Sequence, residues 1–248
     1  QYGEYLRDEM ASAWDIMTAA GILKGTDKDL NNYIHNGIVD LILHEIGHTL
    51  GLRHNFKASS IYSIDQLSNP AFTQKYGISG SVMDYQPINV FDGTTFFQTK
   101  PGTYDYWAIE YAYKQPDRST HSEDIFLEEI ASRSTDPLLQ YGTDEDTFGL
   151  STRGIEPQSN AWDLTDDPMA YYQKRFELAN ELWESIPEHF EKDGAQYSKL
   201  RGVFGRGMRQ YRNASRNIAK YIGGMYHSRH HVGDPGGDNP FKIVPAEK

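Results

Sequence analysis

The run His44-Glu45-Ile46-Gly47-His48-Thr49-Leu50-Gly51-Leu52-Arg53-His54 brings together residue types that suit hydrolysis assisted by a metal ion. Residues four apart on a helix share a face, so His44 and His48 can present two imidazoles to one point. Glu45 follows the first histidine, which sets its carboxylate beside that point without making it a ligand, as suits a base acting on a water at the metal. Gly51 has no Cβ and can take the left-handed conformation that ends a helix, so that His54 can turn back toward the same ion. Two imidazoles from a helix and one from the loop after it leave a fourth position open, the arrangement of catalytic rather than structural zinc. The bare H-E-x-x-H occurs often enough by accident; Gly51 and His54 give the pattern its specificity.

Further along, Ser81-Val82-Met83-Asp84-Tyr85 has a methionine and, two residues on, a tyrosine. Together with the histidine run this resembles the metzincin zinc peptidases, whose pattern is H-E-x-x-H-x-x-G-x-x-H followed by a turn containing methionine. The resemblance implies that Met83 packs beneath the zinc-binding His44, His48 and His54, with no chemical role. It also implies that Tyr85 lies next to the metal and helps to stabilise the oxyanion, with Glu45 as general base for peptide-bond hydrolysis.

The elements that must position these residues read mainly as helices. Leu6, Met10, Ala13, Trp14 and Met17 recur at three- and four-residue spacing, which predicts a helix from Tyr2 to about Ala20. After a loop at Gly25-Thr26-Asp27, a second helix capped by Asp29 or Asn31 runs into the histidine motif. Tyr33, Ile34, Ile38, Leu41, Ile42 and Ile46 form its expected buried side. Residues 55–100 lack helical period and are rich in Gly, Ser, Asn, Thr and Pro, which predicts irregular loops with one small hairpin. Thr103 reads as the cap of a helix in which Trp107, Ile109, Tyr111 and Ala112 point inward until Pro116. Beyond it come helices near 121–132, 167–191 with a kink at Pro187, and 195–226. The stripe Tyr172, Phe176, Leu178, Ala179, Leu182, Trp183, Ile186 reads as a packing face, and Arg201, Arg206, Arg209, Arg212, Arg216 and Lys220 as a solvated face. The expected organisation is a zinc-binding catalytic part over 1–115 and a mostly helical subdomain over 116–248.

The chain has 248 residues, of which 38% are hydrophobic and 24% charged, values ordinary for a soluble globular protein. A formal net charge of −11 argues against a nucleic-acid surface, which requires a concentrated basic face. With no cysteine, histidine and carboxylate are left as metal ligands. No apolar run approaches the roughly 20 residues that cross a bilayer, and the first residues have neither the basic nor the apolar part of a secretion signal, which leaves the signal question open for a longer precursor.

The whole chain is also similar to a group of large bacterial zinc-dependent metalloproteases. The similarity runs through Ser81–Pro87, Tyr104–Tyr111, Asp163–Pro168 and Tyr221–Gly224. It implies a mainly α portion of an α+β catalytic domain, a bacterial secreted, periplasmic or cell-surface setting, and a protein or peptide substrate. It further implies a catalytic β-sheet domain upstream of this segment in the same precursor, where this chain opens on helices instead. A non-catalytic zinc-binding or interaction fragment of such a protease is the alternative. Two weaker clusters remain. Asp144, Glu145, Asp146, Asp163, Asp166 and Asp167 offer hard oxygen ligands that could hold Ca2+, although solvated acidic loops have the same composition. His227 and His231 would be one turn apart if the last helix continued, and with His230 they read as a surface cluster.

Overall fold

A computed structural model describes residues 2–91, 93–116, 122–148 and 154–247. In chain order the helices are α1 (Tyr2–Ala19), α2 (Asp27–Thr49), α3 (Ile64–Leu67), α4 (Pro70–Tyr76), α5 (Thr103–Tyr113), α6 (Glu123–Ala131), α7 (Asp144–Thr147), α8 (Pro168–His189) and α9 (Tyr197–Ile218). Strands β1 (Met225–His227) and β2 (Phe241–Ile243) pair antiparallel, with Tyr226 opposite Lys242. The fold is therefore mainly α, as expected.

Helix α2 begins three residues earlier than a cap at Asp29 would place it, and five earlier than one at Asn31. Thr26 is its N-cap: its side chain accepts from the Asp29 amide at 3.2 Å, and Asp29 reaches back to the Thr26 hydroxyl at 2.7 Å. Asp29 is thus the reciprocating member of a capping box rather than the cap. The expected burial of α2 is also reversed. Tyr33 is buried, but Ile34, Ile38, Ile42 and Ile46 are 42–50% exposed, while Gly37, Asp40, His44 and Gly47 face inward.

The larger core joins Leu6, Ile16 and Met17 of α1 and Tyr33 of α2 to Phe97, Leu182 and Val203. Each such fully buried apolar side chain contributes roughly 1.5–3 kcal/mol. The packing stripe on α8 is confirmed at Tyr172, Leu178, Ala179 and Leu182, and Trp183 stacks on Phe204 and Tyr211 of α9. Pro187 lies in the last turn of α8. At the junction of α1, α8 and α9, the buried Arg175 donates to Glu9 at 2.6 Å and to Gln210 at 2.8 Å. The basic stripe of α9 is only partly a solvated face. Arg206 donates to Asp15 at 2.7 Å and Arg209 to Asp8 at 2.8 Å, both on α1, and the Lys220 ammonium turns in to the Thr147 and Ser159 carbonyls.

Among the described residues, 55–100 contains no strand: the short helices α3 and α4 and a single turn at Ala58–Ile61 interrupt the expected loops, and around Ile88, Val90 and Phe96-Phe97, where the hairpin was expected, the Asn89 amide donates to the Phe96 carbonyl at 3.0 Å without a strand ladder. On α5 it is Gly102 that caps, Asp105 that is buried, and Tyr111 and Ala112 that face outward. Helix α6 starts after the Ser122 cap; His121, where the expected helix begins, lies outside the described residues. The last helix stops at Ile218, short of the expected 226, and a turn through Gly223, at φ +70°, leads into β1. His227 and His231 consequently share no helical face.

Candidate metal centre

The inner face of α2 carries His44 and His48, and the helix ends where the third histidine needs it to. The Gly51 amide donates to the His48 carbonyl and the Leu52 amide to the Gly47 carbonyl, each at 3.0 Å, with Gly51 at φ +86°. This pair of bonds is a Schellman motif, which a left-handed glycine permits. The reversed chain brings His54 back, and one ring nitrogen from each of His44, His48 and His54 lies within 4.8 Å of the others. Among the described residues this is the one group of three or more potential ligands that converges.

Each of the three rings is fixed from behind. The Nδ1 of His44 is 2.7 Å from the Val82 carbonyl, that of His48 is 3.0 Å from the Leu52 carbonyl, and that of His54 is 2.9 and 3.0 Å from the two Asp144 carboxylate oxygens. All these partners are acceptors, so each Nδ1 must carry the proton and each Nε2 keeps its lone pair for the common point. Burial lowers the His44 pKa to about 4, its imidazole N–H to Val82 opposing the shift. His44 is therefore neutral at pH 7, the form a metal ligand requires. The donor set, three neutral imidazoles oriented by a second layer of acceptors, fits a zinc ion.

Met83 is fully buried under this group. A Cβ on Gly47 would lie 2.1 Å from its sulfur, so the glycine inside the motif is what lets the methionine approach the helix between His44 and His48. The turn is held by Asp105 of α5, which accepts from the Ser81 hydroxyl at 2.6 Å, the Val82 amide at 2.9 Å and the Gly102 amide at 2.7 Å. The Asn55 amide donates to the Met83 carbonyl at 2.9 Å, tying the turn to the loop after His54.

The Tyr85 hydroxyl is 3.0 Å from His54 Nε2. Because that nitrogen is unprotonated, the hydroxyl donates. Burial first, then the carboxylates of Asp144 and Glu45, push the Tyr85 pKa up to about 12, which keeps the phenol a donor. Glu45 is solvent-exposed on α2 beside the histidines. Behind Tyr85, Ser59 joins two buried carboxylates: its amide donates to Asp84 at 2.8 Å and its hydroxyl to Asp163 at 3.0 Å. Burial raises the pKa of both, that of Asp163 to about 7.

Residues 26–248 match a protein family described as Met-zincin. The chain belongs to the Met-zincin family. No curated protein and no solved structure matches it. The His44–His48–His54 triad of this Met-zincin and the methionine turn beneath it lie where the resemblance in the sequence implied.

Among the described residues the acidic run forms no oxygen cage of the kind Ca2+ would need. Asp144 accepts from His54, Glu145 from Arg53 at 2.9 Å, and Asp146 from the Thr143 amide at 2.9 Å and Arg229 at 2.8 Å. Asp163 is turned to Ser59 and Asn160, and Asp167 caps α8. Residues 149–153 between the two halves of the run lie outside the described residues. The calcium expected from composition is not supported: the described carboxylates brace the loops, and Asp144 braces His54. The C-terminal histidines are separate as well, His230 accepting from the Asp238 amide at 3.1 Å and His227 facing Asp146 at 3.7 Å.

Sequence reasoning missed Asp144, Asp105 and Gly47. Asp105 lies in a segment singled out by resemblance, and Gly47 inside the motif itself, so both had a local signal. Asp144 had only its membership of an acidic run.

Proposed function

We propose that this chain carries the zinc-binding half of an endopeptidase active site and hydrolyses peptide bonds of a protein or peptide substrate. The observation that carries the reading is the common aim of the three Nε2 atoms, with the Tyr85 hydroxyl donor 3.0 Å from one of them. His44, His48 and His54 would hold the ion, which when bound lowers the pKa of a water toward ~7 and polarises the scissile carbonyl. Glu45 accepts the proton of the attacking water and returns it to the leaving amine. Tyr85 donates to the oxygen that becomes negative as the carbonyl carbon turns tetrahedral. Asp144 and the Val82 and Leu52 carbonyls hold the ligands in the required tautomer.

The experiment is mass-spectrometric mapping of cleavage sites when zinc-loaded chain is mixed with denatured protein, with Glu45→Ala as control. Cleavage is expected from the wild type and not from Glu45→Ala, which should still bind zinc. Undiminished cleavage by Glu45→Ala, or none by the wild type, would overturn the reading.

One observation favours a second element of the same reading. The outward Ile34, Ile38, Ile42 and Ile46 form an apolar row along the helix that carries the ligands. A contiguous exposed apolar row of this kind marks a surface for another polypeptide segment. We propose that an upstream β-sheet domain of the same precursor covers it and completes the cleft. Faster cleavage when the chain is joined to that domain would support this, and an unchanged rate would oppose it. The alternative of a purely non-catalytic zinc-binding fragment predicts no cleavage in either form.

A further inference from the structure

A cleft of about 570 Å3 leads away from His54 and Tyr85 and passes between α1 and α9. Its wall next to the site is aromatic. Trp162 stands at φ +69°, a conformation that bulky residues seldom adopt, and its amide donates to the Tyr85 carbonyl at 2.8 Å. Its indole lies close to parallel with the Tyr85 ring, centroids 5.9 Å apart. Backbone strain of this kind persists where the surroundings hold it, and it collects at sites that bind or react. Here it fixes a flat apolar surface beside the Tyr85 hydroxyl.

The opposite wall belongs to α9 and is cationic. The charges along the cleft can be matched one by one. Asp8 accepts from Arg209 at 2.8 Å, Glu9 from Arg175 at 2.6 Å, and Asp144 from His54 at 2.9 Å. Every carboxylate lining the cleft is thereby assigned to a partner. Arg216 is not: it is exposed, lines the cleft, and makes no ion pair or hydrogen bond among the described residues.

We propose that Arg216 selects substrates bearing an acidic side chain at a residue flanking the scissile bond. The methylene stem of a glutamate would lie along Trp162, and its carboxylate would meet the guanidinium, which matches a carboxylate in shape as well as charge. This inference rests on the peptidase reading above and names the substrate class of the same site.

The test uses zinc-loaded chain and two measurements. The first is relative kcat/KM for matched peptides that differ only in Glu, Gln or Lys at the flanking position. The second is the affinity of matched peptide hydroxamates, which grip zinc whether or not the chain turns over. Because Arg216 is exposed, the expected preference for Glu over Gln is about fivefold, falling as salt is raised. Arg216→Gln should abolish the preference and Arg216→Glu should reverse it in favour of Lys. Having both variants guards against one that misfolds. Equal handling of Glu and Gln by the wild type would overturn the inference, as would an unchanged preference in Arg216→Gln. Discrimination among hydroxamates without any peptide cleavage would sink the peptidase reading and leave the acidic selectivity standing. Cleavage without discrimination would do the reverse.

Discussion

Removing the Asp144 carboxylate should weaken zinc binding without unfolding the chain. Asp144 holds His54 by two acceptor oxygens at 2.9 and 3.0 Å and touches no other ligand. Loss of such an outer partner typically costs 10–100-fold in metal affinity. The Asp144 side chain is 43% exposed, so water can replace part of the lost acceptor, and the lower end, about tenfold, is expected for Asp144→Ala. Asp144→Asn retains one acceptor oxygen and loses the charge, so it should fall between Ala and wild type. Competition against a chelating indicator at pH 7.5 gives the affinities, and the melting temperature of the zinc-free protein gives the structural control. A purely structural role would lower the zinc-free melting temperature and leave the order of affinities unrelated to acceptor strength. Zinc affinity of Asp144→Ala within twofold of the wild type would refute the argument that His54 is oriented from behind.

Tyr85→Phe should lower kcat and kcat/KM together by ~10²–10³, with zinc affinity nearly unchanged, because in the proposed mechanism the hydroxyl acts only as charge develops on the substrate oxygen; steady-state kinetics on one peptide decide it, and a loss under about threefold would reduce Tyr85 to packing. Gly47→Ala sets two effects against each other. Helix propensity favours alanine by about 0.5–1 kcal/mol. A Cβ 2.1 Å from the buried Met83 sulfur costs typically 1–3 kcal/mol of overpacking. The clash should win by up to about 2.5 kcal/mol in denaturant titration, and the same Gly47→Ala change made in a Met83→Ala background should lose that penalty, whereas a single variant more stable than wild type would mean that Met83 does not pack there. Asp163 gives a pH prediction. Burial raises its folded pKa from 3.8 to about 7, so the folded state keeps a proton that the unfolded chain releases. Its contribution is complete below about 4 and is lost as pH rises toward 7. The melting temperature of wild type minus that of Asp163→Asn should fall across that range; a constant difference would show that Asp163 is ionised throughout.

How much of the site could be read in advance follows from how local each interaction is. His44, His48 and His54 were legible because helix period and one glycine determine their convergence, and Met83 and Tyr85 because their order after the motif is distinctive. Asp144 was not, because it reaches His54 across 90 residues of chain and an acidic run looks the same whether it braces a ligand or meets solvent. The end of α9 was misplaced for a local reason that composition underweighted: a Cβ at Gly224 would meet the Lys220 carbonyl at 1.7 Å, so the Gly223-Gly224 pair marks a tight reversal rather than a helix.

Helix α2 shows the limit of periodicity most clearly. Its isoleucines repeat every four residues and announce an apolar face, yet the face turned into this chain is built of Gly37, Asp40, His44 and Gly47. The two glycines bury nothing of their own. They open room for Met10, whose terminal carbon lies 2.6 Å from where a Gly37 Cβ would be, and for Met83 at Gly47. Hydropathy ranks such residues low because the apolar surface that fills the space belongs to other elements. A periodic signal therefore reports which face of a helix is apolar, and it leaves open whether the neighbour that covers it lies in the same segment. On α2 the ligand face is satisfied from within, and the isoleucine row is the surface that the proposed upstream sheet would cover.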